Sequence, residues 1–136
     1  MIVDSSVAMK WLLAEALSDR ADDLLRRGDL RAPDIVDFEV CQTLTRRVRQ
    51  RLLSNNQAES LRVAFESTPM ARDPWRRWAT AAFELSLALH ATFADCLFLA
   101  RAVDAGDRLV TADERFARVV RSAPMLRSRI VLLGET

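Results

Sequence analysis

Histidine is nearly absent from this 136-residue chain: His90 stands alone. Ser-His-Asp hydrolysis and histidine-ligated zinc chemistry are therefore poorly supported, and His90, in an expected loop, reads as a surface or packing residue. Glycine is nearly as scarce. Gly28, Gly106 and Gly134 are the only three, so no glycine-rich loop exists to cradle a nucleotide phosphate. The two cysteines, Cys41 and Cys96, form neither a disulfide framework nor a CxxC pair. They read as small core residues in a reducing, cytoplasmic setting. No apolar run approaches the ~18 residues of a membrane span. Asp4 stands where a secretion signal would carry basic charge, so export is not expected either.

What is present describes one soluble globular domain over residues 1–136. The chain is 50% hydrophobic and 29% charged, enough apolar content for one proper core. A net charge of +1 does not by itself advertise nucleic-acid binding. Of the 20 basic residues all but Lys10 are arginine, and arginine suits phosphate contacts through its bidentate fork.

Apolar runs and helical stripes alternate along the chain. Ile2-Val3 predicts a short buried strand, and Ser5 or Ser6 caps the helix that follows. A second helix over 17–27 ends at Gly28, and Leu30-Arg31-Ala32 forms a strand stopped by Pro33. From Asp34 to about Leu53, Val36, Val40, Leu44, Val48 and Leu52 recur at a helical spacing, with Glu39 on the flank of that stripe. Ser54-Asn55-Asn56 breaks the pattern before a helix to about Ser67. A loop over 68–74 with room for a short strand follows, then an amphipathic helix from Trp75. Residues 91–105 give the most apolar helix, with Gly106 at its end. Leu109-Val110 is a strand, Thr111-Ala112-Asp113 a turn, 114–120 a short helix and 130–133 a last strand. The economical fold is α/β, a small parallel sheet with helices on both faces and its site at the strands' carboxyl edge.

Four acids matter in that frame: Asp4, Glu39, Asp95 and Asp113. Each has an ordinary explanation alone, as a turn or cap residue, a helix-flank acid, the last member of a Thr92-x-x-Asp95 capping box, or an N-cap. Together they mean more. Asp4 and Asp113 both follow short strands, Asp95 opens the apolar helix, and Glu39 flanks a core stripe. Carboxylates meeting at one sheet edge repel one another unless a cation neutralises them. Hard divalent cations such as Mg²⁺ take such oxygen ligands, and acids plus such a metal perform phosphoryl transfer.

The stretches Ile2-Val3-Asp4-Ser5-Ser6-Val7-Ala8-Met9-Lys10-Trp11, Pro33-Asp34-Ile35-Val36-Asp37-Phe38-Glu39-Val40, Phe93-Ala94-Asp95-Cys96-Leu97 and Leu109-Val110-Thr111-Ala112-Asp113-Glu114-Arg115-Phe116 resemble the PIN-domain toxins of the VapC type, in that family's order and spacing. The resemblance implies a PIN-like fold and a Mg²⁺- or Mn²⁺-dependent endoribonuclease. It also implies the toxin half of a type II toxin–antitoxin pair, with a VapB-type antitoxin as partner and a homodimer as its usual state. By position, Asp4, Glu39, Asp95 and Asp113 form the metal site, with Asp4 and Asp95 the most direct ligands and Ser5 and Thr111 in support. Water activated by the metal then attacks an RNA phosphodiester. Two positions depart from the pattern: Gln42 stands where the family often has Asn, and Phe93 near where it commonly has Tyr, a residue this chain lacks.

The basic run Arg46 to Arg51 and Trp75-Arg76-Arg77-Trp78 suit RNA phosphates and bases, but a solvated helix face and core tryptophans explain them more simply. A catalytically silent RNA- or antitoxin-binding module is the competing reading. A receiver domain would require paired acids and a late lysine, and an aspartyl phosphatase Asp-x-Asp; the chain has neither.

Overall fold

Short segments become strands β1 (Ile2–Val3), β2 (Arg31–Pro33), β3 (Ala71–Asp73), β4 (Leu109–Thr111) and β5 (Ile130–Leu132), of which β1, β4 and β5 are mostly apolar. In this computed structural model, which describes residues 1–136, they form one wholly parallel sheet ordered β3-β2-β1-β4-β5. Parallel neighbours require crossover connections. These are α1 (Ser5–Leu12) with α2 (Ser18–Arg27), α3 (Ile35–Arg49) with α4 (Asn55–Glu66), α5 (Ala79–Leu89) with α6 (Phe93–Asp104), and α7 (Glu114–Ser122).

The path runs outward from β1 to β3, then returns across the sheet to β4 and β5. Right-handed crossovers on such a path put α1 to α4 on one face and α5 to α7 on the other. The packing agrees: α1 touches α2, α3 and α4, while α6 lies under β1, β2 and β4 and pairs with α5. The direction of winding reverses between β1 and β4. A doubly wound sheet opens a crevice at that point, beyond the strands' carboxyl ends.

Ile2, Val3, Leu109 and Val110 fill the sheet's centre without any exposure, and Val7, Val36, Val40, Phe98 and Leu99 cover it. The fully buried run from Cys96 to Ala100 makes α6 the central helix of its face.

Several boundaries differ from expectation for local reasons. Asp4, rather than Ser5 or Ser6, caps α1: its backbone is extended and its carboxylate accepts from the Val7 amide. The third helix ends at Arg49 because Arg51 turns into the left-handed region at φ +60°. Leu52 therefore leaves the stripe and is 62% exposed. Ser54 and Gln57 then close a reciprocal capping box that starts α4. Trp75–Trp78 form a 3₁₀ turn before α5 rather than its first turn. Gly28 and Gly106 end their helices at φ +78° and +64°, a conformation that penalises any residue with a Cβ.

Candidate active site

Strand register sets the floor of the crevice. Ile2 pairs with Leu109 and Val3 with Val110, so Asp4 and Thr111 leave the sheet side by side. Thr111 Oγ1 donates to Asp4 Oδ2 at 2.5 Å. Asp4 Oδ1 accepts from Ser6 Oγ at 2.5 Å and from the Val7 amide at 3.2 Å. Ser6 Oγ in turn accepts from the Ala112 amide at 2.8 Å, and Thr111 Oγ1 from the Asp113 amide at 3.0 Å. Hydroxyls thus lace the ends of β1 and β4 together around a carboxylate that is only 5% exposed.

The other three acids arrive from different elements. Asp113 caps α7, with Oδ1 accepting from the Phe116 amide at 2.9 Å. Asp95 stands in the first turn of α6, where the helix dipole favours an anion. The Thr92 hydroxyl accepts from its amide at 3.1 Å. The reciprocal half of the expected capping box is not formed, so the Asp95 carboxylate remains turned to the crevice. Glu39 Oε1 accepts from Ser5 Oγ at 3.0 Å, which joins α3 to the start of α1.

Asp4, Asp95 and Asp113 line a single cleft of about 360 Å³ together with Ser5 and Ser6. Glu39 lies behind that lining and reaches the group through Ser5. A larger, more apolar cavity of about 560 Å³ lies between α5 and α6, around Trp78, Leu85 and Ala100, and holds none of the four acids. Size does not locate the chemistry here.

The electrostatics record the crowding. Burial, and then the nearby Asp95 charge, push the Asp4 carboxyl up to about 6 against the pull of its three hydrogen bonds. Glu39 rises to about 7, chiefly through burial, with Asp95 and Asp4 adding repulsion. Asp95 is raised too, by burial first and by Asp113 second. No ion pair of the protein includes any of the four. Buried like charges without a protein counter-charge are stable together only when protonated or when a cation joins them.

The donor chemistry suits a hard divalent cation. Every polar ligand in the cleft floor is an oxygen, and burial holds the adjacent Cys96 thiol up at about 11, hence neutral. No three acidic, histidine or cysteine side chains stand close enough to clasp an ion unaided. A Mg²⁺-type ion takes one or two carboxylates directly and fills its remaining positions with water.

Of the softer sequence signals, Arg46 and Arg47 line this cleft, and the others go elsewhere. Trp78 is buried, with Arg77 and Arg101 over its ring, and Trp75 meets Phe93 edge-to-face at 6.0 Å. His90 is an exposed residue at the end of α5, and Gln42 is exposed on α3. The sequence reading missed Ser6, which contacts both Asp4 and Ala112; a hydroxyl two residues past an acid that ends a strand was the available signal.

The family model described as PIN domain matches residues 1–122. Ribonuclease VapC12 of Mycobacterium tuberculosis, in strains CDC 1551 / Oshkosh and ATCC 25618 / H37Rv, is 29% identical over 118 residues. That match spans 87% of this chain and 90% of the relative.

Proposed function

Since the chain belongs to the PIN-domain family, we propose that residues 1–136 form one such domain and act as a Mg²⁺- or Mn²⁺-dependent endoribonuclease. It is the toxin component of a type II toxin–antitoxin system, working in the cytoplasm on RNA. Its partners are a cognate VapB-type antitoxin and a second copy of itself. The observation that carries the reading is the convergence of Asp4, Asp95 and Asp113 on one cleft with no basic side chain paired to any of them. The likeness to a protein named as a ribonuclease supports the same substrate class.

Asp4 and Asp95 would hold the cation directly, with Asp113 and Glu39 acting on its water shell. A divalent cation bound there supplies a water-derived nucleophile at neutral pH and offsets charge developing on the phosphoryl oxygens. The protein's share is placement. Thr111 and Ser6 lock the Asp4 carboxylate in one orientation, so little reorganisation remains when substrate arrives. Ser5 holds Glu39 beside the group, where its raised pKa suits proton transfer near neutral pH. No single helix is long and apolar enough to cross a membrane.

The test is cleavage of total cellular RNA by purified protein with Mg²⁺, Mn²⁺ or EDTA, beside Asp4→Ala and Asp95→Ala. Discrete fragments that need metal and vanish in both variants are expected. Binding of RNA or antitoxin without cleavage under any condition would favour the silent-module reading instead.

A further inference from the structure

We propose that Lys10 and Arg47, tethered by Glu15, form a phosphate clamp on the rim of the acidic cleft and grip the RNA backbone beside the bond to be cut. This rests on the ribonuclease reading and adds positioning residues to it. Glu15 Oε2 takes Lys10 Nζ at 3.4 Å, and Glu15 Oε1 takes Arg47 Nη2 at 3.0 Å. The three come from separate places: the last turn of α1, the α1–α2 connection and the last turn of α3. All three line the cleft that holds Asp4, Asp95 and Asp113, and the exposed Arg46 lines it beside them.

One carboxylate bridging two cations leaves a net positive charge. It also leaves donors unspent. An ammonium has three N–H groups and a guanidinium five, yet Lys10 and Arg47 each make a side-chain hydrogen bond only to Glu15. Lys10 keeps these donors while only 13% of its side chain is exposed, and it is the chain's sole lysine. A strut between the α1–α2 connection and α3 would need one cation, and the second is surplus to it. The surplus faces a floor of carboxylates that would otherwise repel a polyanion.

A nucleic-acid strand laid across the cleft supplies what both sides lack. Phosphates flanking the reacting one meet the ammonium as a point charge and the guanidinium as a fork. Holding the strand in this way fixes the scissile phosphate over the acids, and such positioning accounts for a large share of rate in phosphoryl transfer.

The test is metal-free binding of a short fluorescein-labelled single-stranded RNA of random sequence, in EDTA over a salt series. Each phosphate neutralised on a single strand adds about 0.7 to the slope of log affinity against log salt. Lys10→Ala and Arg47→Ala are each expected to flatten the slope by roughly that amount, and Lys10→Arg to restore it. Asp4→Asn is expected to keep the full slope in this assay while losing cleavage in the assay with Mg²⁺ or Mn²⁺. Slopes unchanged in both alanine variants, or wild-type binding without salt dependence, would overturn the clamp. Should Lys10→Ala fail to fold, Arg47→Ala and Lys10→Gln decide the matter. A slope that depends on Lys10 and Arg47 in a protein that cuts no RNA sustains the clamp and removes the nuclease. Cleavage with an indifferent slope does the reverse.

Discussion

Thr111 Oγ1 lies 2.5 Å from Asp4 Oδ2, joining the carboxyl ends of two neighbouring parallel strands at the point where the sheet's winding reverses. Thr111 has no exposed surface, so its hydroxyl is there for that contact and not for solvent. Thr111→Val keeps the shape and removes both the donor to Asp4 and the acceptor of the Asp113 amide. Leaving a buried acceptor short of a partner costs about 1–3 kcal/mol, and urea unfolding should show a loss in that range. Cleavage should fall as well, through a less firmly held Asp4, while Thr111→Ser should retain most of both.

Ser6 is the second device of the same kind. Its hydroxyl serves Asp4 and the Ala112 amide at once, so Ser6→Ala removes two partners from the junction of β1 and β4. A destabilisation of about 1–2 kcal/mol is expected from hydrogen bonds of this type. Ser5→Ala, which touches only Glu39 Oε1 among the acids, should be milder in unfolding. Comparing the two variants by thermal melts separates the strand junction from the helix link.

The acids make the metal-free protein sensitive to pH in a particular direction. Asp4 and Glu39 titrate at about 6 and 7 in the fold, above the ordinary values of 3.8 and 4.5. Between those limits the folded state binds more protons than the unfolded chain, so stability falls as pH rises. Melting temperature in EDTA should therefore drop between about pH 5 and pH 7. Mn²⁺ should reverse the drop, because it binds the ionised carboxylates. Glu39→Gln keeps an acceptor for Ser5 and removes one buried charge, so its melting curve should shift less with pH. An equal drop in that variant would show that Glu39 does not contribute.

Much of this could be read before the structure. Short apolar runs with an acid soon after them located β1 and β4, and a stripe at Val36, Val40 and Leu44 oriented α3 so that Glu39 flanked the core. What sequence did not disclose was mostly contact across elements. Leu52 matched the stripe's spacing, but the left-handed turn at Arg51 took it out of the helix. The Thr92-x-x-Asp95 pattern suggested a closed capping box, yet only the threonine half forms and the carboxylate remains at the cleft. Periodicity says nothing about which of two serines meets Asp4 and which meets Glu39. The bridging role of Glu15 was equally hidden, since its partners lie five and thirty-two residues away.

We propose that carboxylates gathered at the β1–β4 junction hold a divalent cation. Calorimetric titration of Mn²⁺ into the purified protein, beside Asp4→Ala and Asp95→Ala, tests it most directly. Saturable binding in the wild type and a loss of at least roughly tenfold in affinity in each variant are expected. Equal Mn²⁺ affinity in all three proteins would contradict it.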